Sequence, residues 1–124
     1  MKEYFVLRTP LKREMMTAVR LATGGVCSSA GMSYDGGEDC KVCVTESLLL
    51  LMHRGFEAAS VRFYTCEDGG IRVCVTADAG EGTQSLSEED EIALALLNAL
   101  ATDVSLDTSE GGLSSIAVVF GPQA

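Results

Sequence analysis

Two runs of strict alternation constrain this chain more than anything else in it. Ser60-Val61-Arg62-Phe63-Tyr64-Thr65-Cys66 and Ile71-Arg72-Val73-Cys74-Val75-Thr76 alternate with period two, placing Val61 and Phe63, then Ile71, Val73 and Val75, at every second position, with Glu67-Asp68-Gly69-Gly70 between them. Side chains of an extended backbone point alternately to its two faces. The pair therefore predicts a β-hairpin with Val61, Phe63, Ile71, Val73 and Val75 on one buried face and Arg62 and Arg72 on the other.

The segments on either side supply the rest of a two-layer fold. Tyr4 to Arg8 reads as a strand that stops at Thr9-Pro10. Thr9 is expected to cap a first helix with Pro10 at its first position, where a missing N–H costs nothing, and Met15, Val19, Ala22 and Val26 recur at helical spacing. Gly24-Gly25 weakens that helix but permits close packing, and Gly31 is placed to end it in a left-handed conformation. A second helix is expected from Ser33 or Asp35 to about Arg54, closed by Gly55. A third runs from Glu88 to about Thr102, with Ile92, Leu96, Ala99 and Leu100 as its core stripe and Glu88-Glu89-Asp90-Glu91 complementing its dipole. Val104 to Asp107 and Ser115 to Phe120, joined through Ser109-Glu110-Gly111-Gly112, read as a closing hairpin. The expectation is one α+β domain over residues 1–124, a two-layer sandwich whose mixed, mostly antiparallel sheet is covered on one face by about three helices.

Charge and composition narrow the function classes. With 18 acidic and 9 basic residues the net charge is -9, which argues against binding to a phosphate backbone. The longest apolar run, Leu48 to Met52, is far short of the roughly 20 residues of a membrane helix. Met1-Lys2-Glu3 lacks the zones of a signal peptide, so a soluble, cytoplasmic protein is expected. Cys27, Cys40, Cys43, Cys66 and Cys74 form an odd set inside apolar segments, more like small buried hydrophobes than a disulfide framework. With one histidine, His53, no zinc site is expected.

Two places carry candidate chemistry. On the second helix Val42, Glu46, Leu50 and His53 fall on neighbouring parts of one face, and a carboxylate among leucines is the informative member. After the first hairpin, Asp78-Ala79-Gly80-Glu81-Gly82 forms a D-x-G-x-G arrangement, in which glycines let the backbone approach a ligand and the aspartate can accept a hydrogen bond from an amine. An amphipathic helix edge and a Gly-rich turn explain the same residues without chemistry. Cys40-Lys41-Val42-Cys43 gives a third, redox-sensing reading, equally compatible with plain packing.

Taken in chain order, these features carry a family likeness. Val19-Arg20-Leu21, Gly31-Met32-Ser33-Tyr34-Asp35, the run from Glu38 to Ser47, Val61-Arg62-Phe63, Val73 to Asp78 and Leu96 to Leu100 together resemble the anti-sigma-factor serine protein kinases of the GHKL, or histidine-kinase-like, ATPase superfamily. The resemblance implies the histidine-kinase-like ATPase fold, with ATP and magnesium as ligands where the site functions. It assigns Glu46 to the N-box general base, Asp78 to the residue that binds the adenine amino group, and Gly80 and Gly82 to the first glycine box. A sigma factor or an anti-anti-sigma protein is the implied partner, and a homodimer through the first helix is the implied assembly.

Three positions depart from the family pattern. The magnesium-holding asparagine falls on Leu50, which offers no oxygen to a hard cation, so no metal ligand is expected. The phosphate-contacting Gly-x-Gly box falls on Glu91-Ile92-Ala93-Leu94, and the lid shrinks to Thr83–Asp90. Phosphoryl transfer depends on positioning and charge neutralisation, both of which these changes remove. The leading expectation is a transcription regulator with ATP binding and kinase activity impaired or lost, in which Leu48 to Met52 fill the emptied pocket. The alternative is an active serine protein kinase that phosphorylates its antagonist, using the retained Glu46 and Asp78.

Overall fold

The computed structural model describes residues 1–108 and 111–122. The alternating runs pair as expected and extend further than the alternation itself, as β2 (Phe56–Thr65) and β3 (Ile71–Gly80). The register sets Val61 opposite Val75, Phe63 opposite Val73 and Thr65 opposite Ile71. β1 (Lys2–Pro10) adds to β2, and β5 (Ser115–Phe120) and then β4 (Asp103–Asp107) add to β3, giving the order β1-β2-β3-β5-β4. Every neighbouring pair is antiparallel. In the closing hairpin, the predicted linker residues Ser109 and Glu110 lie outside the described residues.

Three helices cover one face: α1 (Met16–Ser29), α2 (Tyr34–Arg54) and α3 (Glu88–Leu100). α2 is the central one, and its Cys40, Cys43, Val44, Leu48, Leu50 and Leu51 are completely buried in the core. Each such leucine contributes about 1.5–3 kcal/mol of transfer free energy. Ser33 begins α2 by accepting a hydrogen bond from the Gly36 N–H at 3.0 Å, and Gly55 ends it at a φ of +106°. No helix among the described residues is long and apolar enough to cross a membrane.

Two expectations fail, each for a local reason. Thr9 and Pro10 do not start a helix: they continue β1 opposite Ala59 and Ala58, and the Thr9 hydroxyl donates to the Pro10 carbonyl instead of capping. β1 is an edge strand, where a residue without an N–H is tolerated, and the Leu11 N–H then donates to the Glu57 carbonyl and keeps the chain beside β2. The helix begins only after a 3-10 turn at Arg13–Met15. On α3 the expected stripe is rotated: Ile92 is 70% exposed and Leu96 37%, while Asp90, Ala93 and Leu97 face inward.

A buried carboxylate sets that rotation. Asp90 Oδ1 lies 2.8 Å from His53 Nδ1 at the end of α2, and Asp90 Oδ2 accepts from the Ser87 N–H at 2.9 Å and from the Ser87 hydroxyl at 3.1 Å. Ser87 returns the bond to the Asp90 N–H, completing a capping box. Burial pushes the Asp90 carboxyl up, but the bonds from His53 and Ser87 outweigh burial and hold it below the ordinary carboxylate range.

Leu97→Ala is therefore expected to cost about 2–5 kcal/mol in urea denaturation, and Ile92→Ala under about 1 kcal/mol. Because the folded Asp90 titrates below the unfolded residue, its contribution is complete above the ordinary carboxylate pKa of about 3.9 and is lost as pH falls through the folded value. Denaturation between pH 7 and pH 3 should show wild type losing more stability on acidification than Asp90→Asn, which starts about 1–3 kcal/mol lower at pH 7.

Candidate functional site

α2 brings the candidate residues to different layers. Leu50 is fully buried in the core between the helices and the sheet. Glu46 is half-buried on the outer side of α2, where it lines a shallow groove with Arg20 and Lys41. Asp78 stands on the sheet face turned away from the helices. Its Oδ2 accepts from Arg8 Nε at 3.0 Å and from the Ser60 hydroxyl at 2.6 Å, with its side chain 26% exposed. Ile71, Val73 and Val75 point inward, so a two-residue step carries Ala77 toward the helices and Asp78 away from them. The same count was available in the sequence. Glu46 and Asp78, expected to share one site, thus lie on opposite sides of the sheet's core face.

The two glycines of the D-x-G-x-G arrangement are explained by packing. Gly80 adopts a φ of +86°, and a Cβ on it would sit 2.9 Å from the Glu57 nitrogen. A Cβ on Gly82 would sit 2.6 Å from the Phe56 ring and 2.9 Å from Arg54 Nη2. Position 80 therefore requires glycine whatever it binds, and a side chain at 82 would have to displace the Phe56 ring and the Arg54 guanidinium.

Arg54 is the residue that sequence reasoning missed. The last residue of α2, it is only 7% exposed, and its guanidinium occupies the space between the segment after β3 and the turn before β5. Nη1 donates to the Gln84 carbonyl at 2.6 Å, Nη2 to the Gly82 carbonyl at 2.9 Å and to the Gly111 carbonyl, and Nε to the Leu113 carbonyl at 3.3 Å. The Gln84 N–H in turn donates to the Arg54 carbonyl at 3.0 Å. Gly112 also packs against this group, because a Cβ there would lie 2.8 Å from Nη2. The available signal was a basic residue between an apolar run and a helix-ending glycine, which reads just as well as a solvated dipole partner.

The thiols are all free, and Cys27, Cys40 and Cys43 are buried between α1 and α2. Burial and the nearby Asp39 and Glu46 carboxylates push the Cys43 thiol up to about 12. Cys40 is also raised, mainly by its hydrogen bond with Cys27 and by burial, whereas that bond and Lys41 lower Cys27. Raised, fully buried thiols are poor nucleophiles, so the Cys40–Cys43 pair behaves as core. No group of three or more His, Cys, Asp and Glu side chains is placed to hold a metal ion among the described residues.

Comparison with known proteins gives the family. No family model matches the chain. It is 30% identical over 118 residues to the serine-protein kinase RsbW of Bacillus licheniformis, a match that covers 90% of this chain and 69% of that protein. The RsbW proteins of Staphylococcus epidermidis and of Listeria monocytogenes are each 33% identical over 73 residues, covering 59% of this chain and 42% of theirs. Those shorter matches span less than half of the relatives' length. The α+β order of helices on an antiparallel sheet is consistent with that relationship, and the chain belongs to the RsbW serine-protein kinase family.

Proposed function

We propose that this chain is an anti-sigma-factor-like regulatory domain that acts by binding a sigma factor or an anti-anti-sigma protein, with ATP binding and kinase activity impaired or lost. The observation that carries this reading is Arg54, whose buried guanidinium fills the space beside the glycine segments on which a nucleotide would depend. Leu50 presents a hydrocarbon where the resemblance requires a magnesium ligand, and Asp78 spends its carboxylate on Arg8 and Ser60. The first turn of α3 adds exposed Glu88, Glu89 and Glu91 where phosphate oxygens would approach. These residues do not fit a magnesium-bound triphosphate, so no catalytic step is derived through one.

The second reading, an active serine-protein kinase, is favoured by the relatives' own activity and by a partly accessible Glu46 on α2. Glu46 as its general base needs a hydroxyl acceptor brought to the outer side of α2, where it neighbours Arg20 and Lys41.

Calorimetry with ATP and magnesium separates the two: no isotherm is expected for wild type or for Leu50→Asn, and a heat of binding abolished by EDTA would overturn the regulatory reading. Arg54→Ala, which leaves four carbonyls without their donor, is expected to lower stability by about 2–5 kcal/mol without creating nucleotide binding. Titration with a sigma factor or an anti-anti-sigma protein should show complex formation in the absence of ATP.

A further inference from the structure

The seam between α1 and α2 brings two thiols together. Cys27 lies in the last turn of α1 and Cys40 in the second turn of α2, and residues 30–33 join the two helices. Gly37 stands one turn before Cys40 on the same face of α2, and a Cβ on it would lie 3.6 Å from the Cys27 Cβ. The helices thus approach closely at this level. Both cysteines are buried, and their thiols hydrogen-bond each other.

The two sulfurs are not equivalent. Cys40 donates and Cys27 accepts, so the shared bond lowers the Cys27 thiol against the opposing effect of burial, while the same bond and burial together raise Cys40. Lys41 adds to the lowering at Cys27. Its stem lies over Gly24 of α1, one turn before Cys27, where a Cβ would sit 2.6 Å from Lys41 Cε and 3.3 Å from Nζ. Glu38 shares this place but is already partnered, by the Lys41 ammonium at 2.7 Å and by the Tyr34 hydroxyl, which donates to it at 3.0 Å. A cavity of about 380 Å³ opens here between Leu21, Met32, Tyr34 and Lys41, and Cys27 forms part of its lining, whereas Cys40 and Cys43 do not. The thiol favoured as a thiolate is therefore also the one that a water-sized molecule reaches.

We propose that Cys27 and Cys40 form an oxidisable dithiol site whose substrate is a small peroxide. The Cys27 thiolate attacks one peroxide oxygen; the S–O bond forms as the O–O bond breaks, and the leaving hydroxide takes up a proton to become water. The Cys40 sulfur then attacks the sulfenic acid on Cys27. The S–S bond forms as the S–O bond breaks, and the Cys40 proton leaves with the hydroxide as a second water. Two electrons pass from the thiols to the peroxide, and a thiol reductant returns them. The second attack is intramolecular, which offsets the weak acidity of Cys40. The product staples α1 to α2 across residues 30–33. It uses neither Arg54, Asp78 nor Glu46, so it stands whether or not the chain binds ATP.

Trypsin cleavage after Arg20 and Lys41 places both cysteines, and no other, in the peptide of residues 21–41. The folded full chain is treated with a slight excess of hydrogen peroxide, then unfolded, alkylated with iodoacetamide, digested and weighed by mass spectrometry. Peptide 21–41 is expected without alkyl groups and lighter by two hydrogen atoms, while Cys43 and the half-buried Cys66 and Cys74 are still alkylated. Dithiothreitol should restore alkylation of the pair. Cys40→Ser should stop at a Cys27 sulfenic acid that dimedone labels, and Cys27→Ser should leave Cys40 unoxidised. Loss of Cys66 or Cys74 before the pair, or a disulfide from Cys27 to Cys43 or to a second chain, would overturn the proposal. So would a disulfide within peptide 21–41 that forms as fast in the urea-unfolded wild-type chain, where neither the thiol hydrogen bond nor Lys41 selects it.

Discussion

The guanidinium of Arg54 is a buried charge solvated by backbone alone. Burying a cation without compensation is costly, and here four carbonyl dipoles from Gly82, Gln84, Gly111 and Leu113 replace the water that was lost. Those carbonyls belong to two segments far apart in sequence, and the five donors of a guanidinium in a fixed planar fork suit that geometry as a lysine ammonium does not. The segment leading from β3 toward α3 and the turn entering β5 are thus referenced to one point at the end of α2. The glycines at 82 and 112 are consequences of this, since any side chain on them would occupy the same volume as the guanidinium.

The adjacent residue works on the same joint from the other side. His53 holds Asp90, Asp90 closes the capping box with Ser87, and the rotation of α3 follows. Two consecutive residues of α2 therefore position everything between β3 and α3. The end of α2 thus turns its polar side chains to groups of its own chain, His53 to Asp90 and Arg54 to main-chain carbonyls.

Much of this was legible in the sequence where one physical rule acted without competition. Period-two alternation specified the hairpin and its buried face, because register slips would expose Phe63 and Val73. Ser33 and Gly55 marked α2 at both ends. The readings that failed were those in which a local rule met a tertiary one. Thr9-Pro10 is a good helix start in isolation, but pairing with Ala59 and Ala58 offers the same residues an extended conformation at an edge that tolerates proline. Ile92 and Leu96 form a plausible stripe, yet the demand of the Asp90 carboxylate for partners turned the helix by one position. The Arg54 cluster was not readable because its partners are main-chain atoms, which leave no trace in residue identity.

The placement of Asp78 bears on how any such motif is recognised. A motif is counted along the chain, residue by residue, whereas a sheet sorts its residues by odd and even. Asp78, Gly80 and Gly82 keep the linear spacing of a nucleotide box while the strand that carries them directs the aspartate to Arg8 and Ser60 on the far side. Two chains with identical strings at this point can thus differ in which side of the sheet the string addresses. What decides between them is the parity of the distance back to the last core valine, Val75, and not the motif itself.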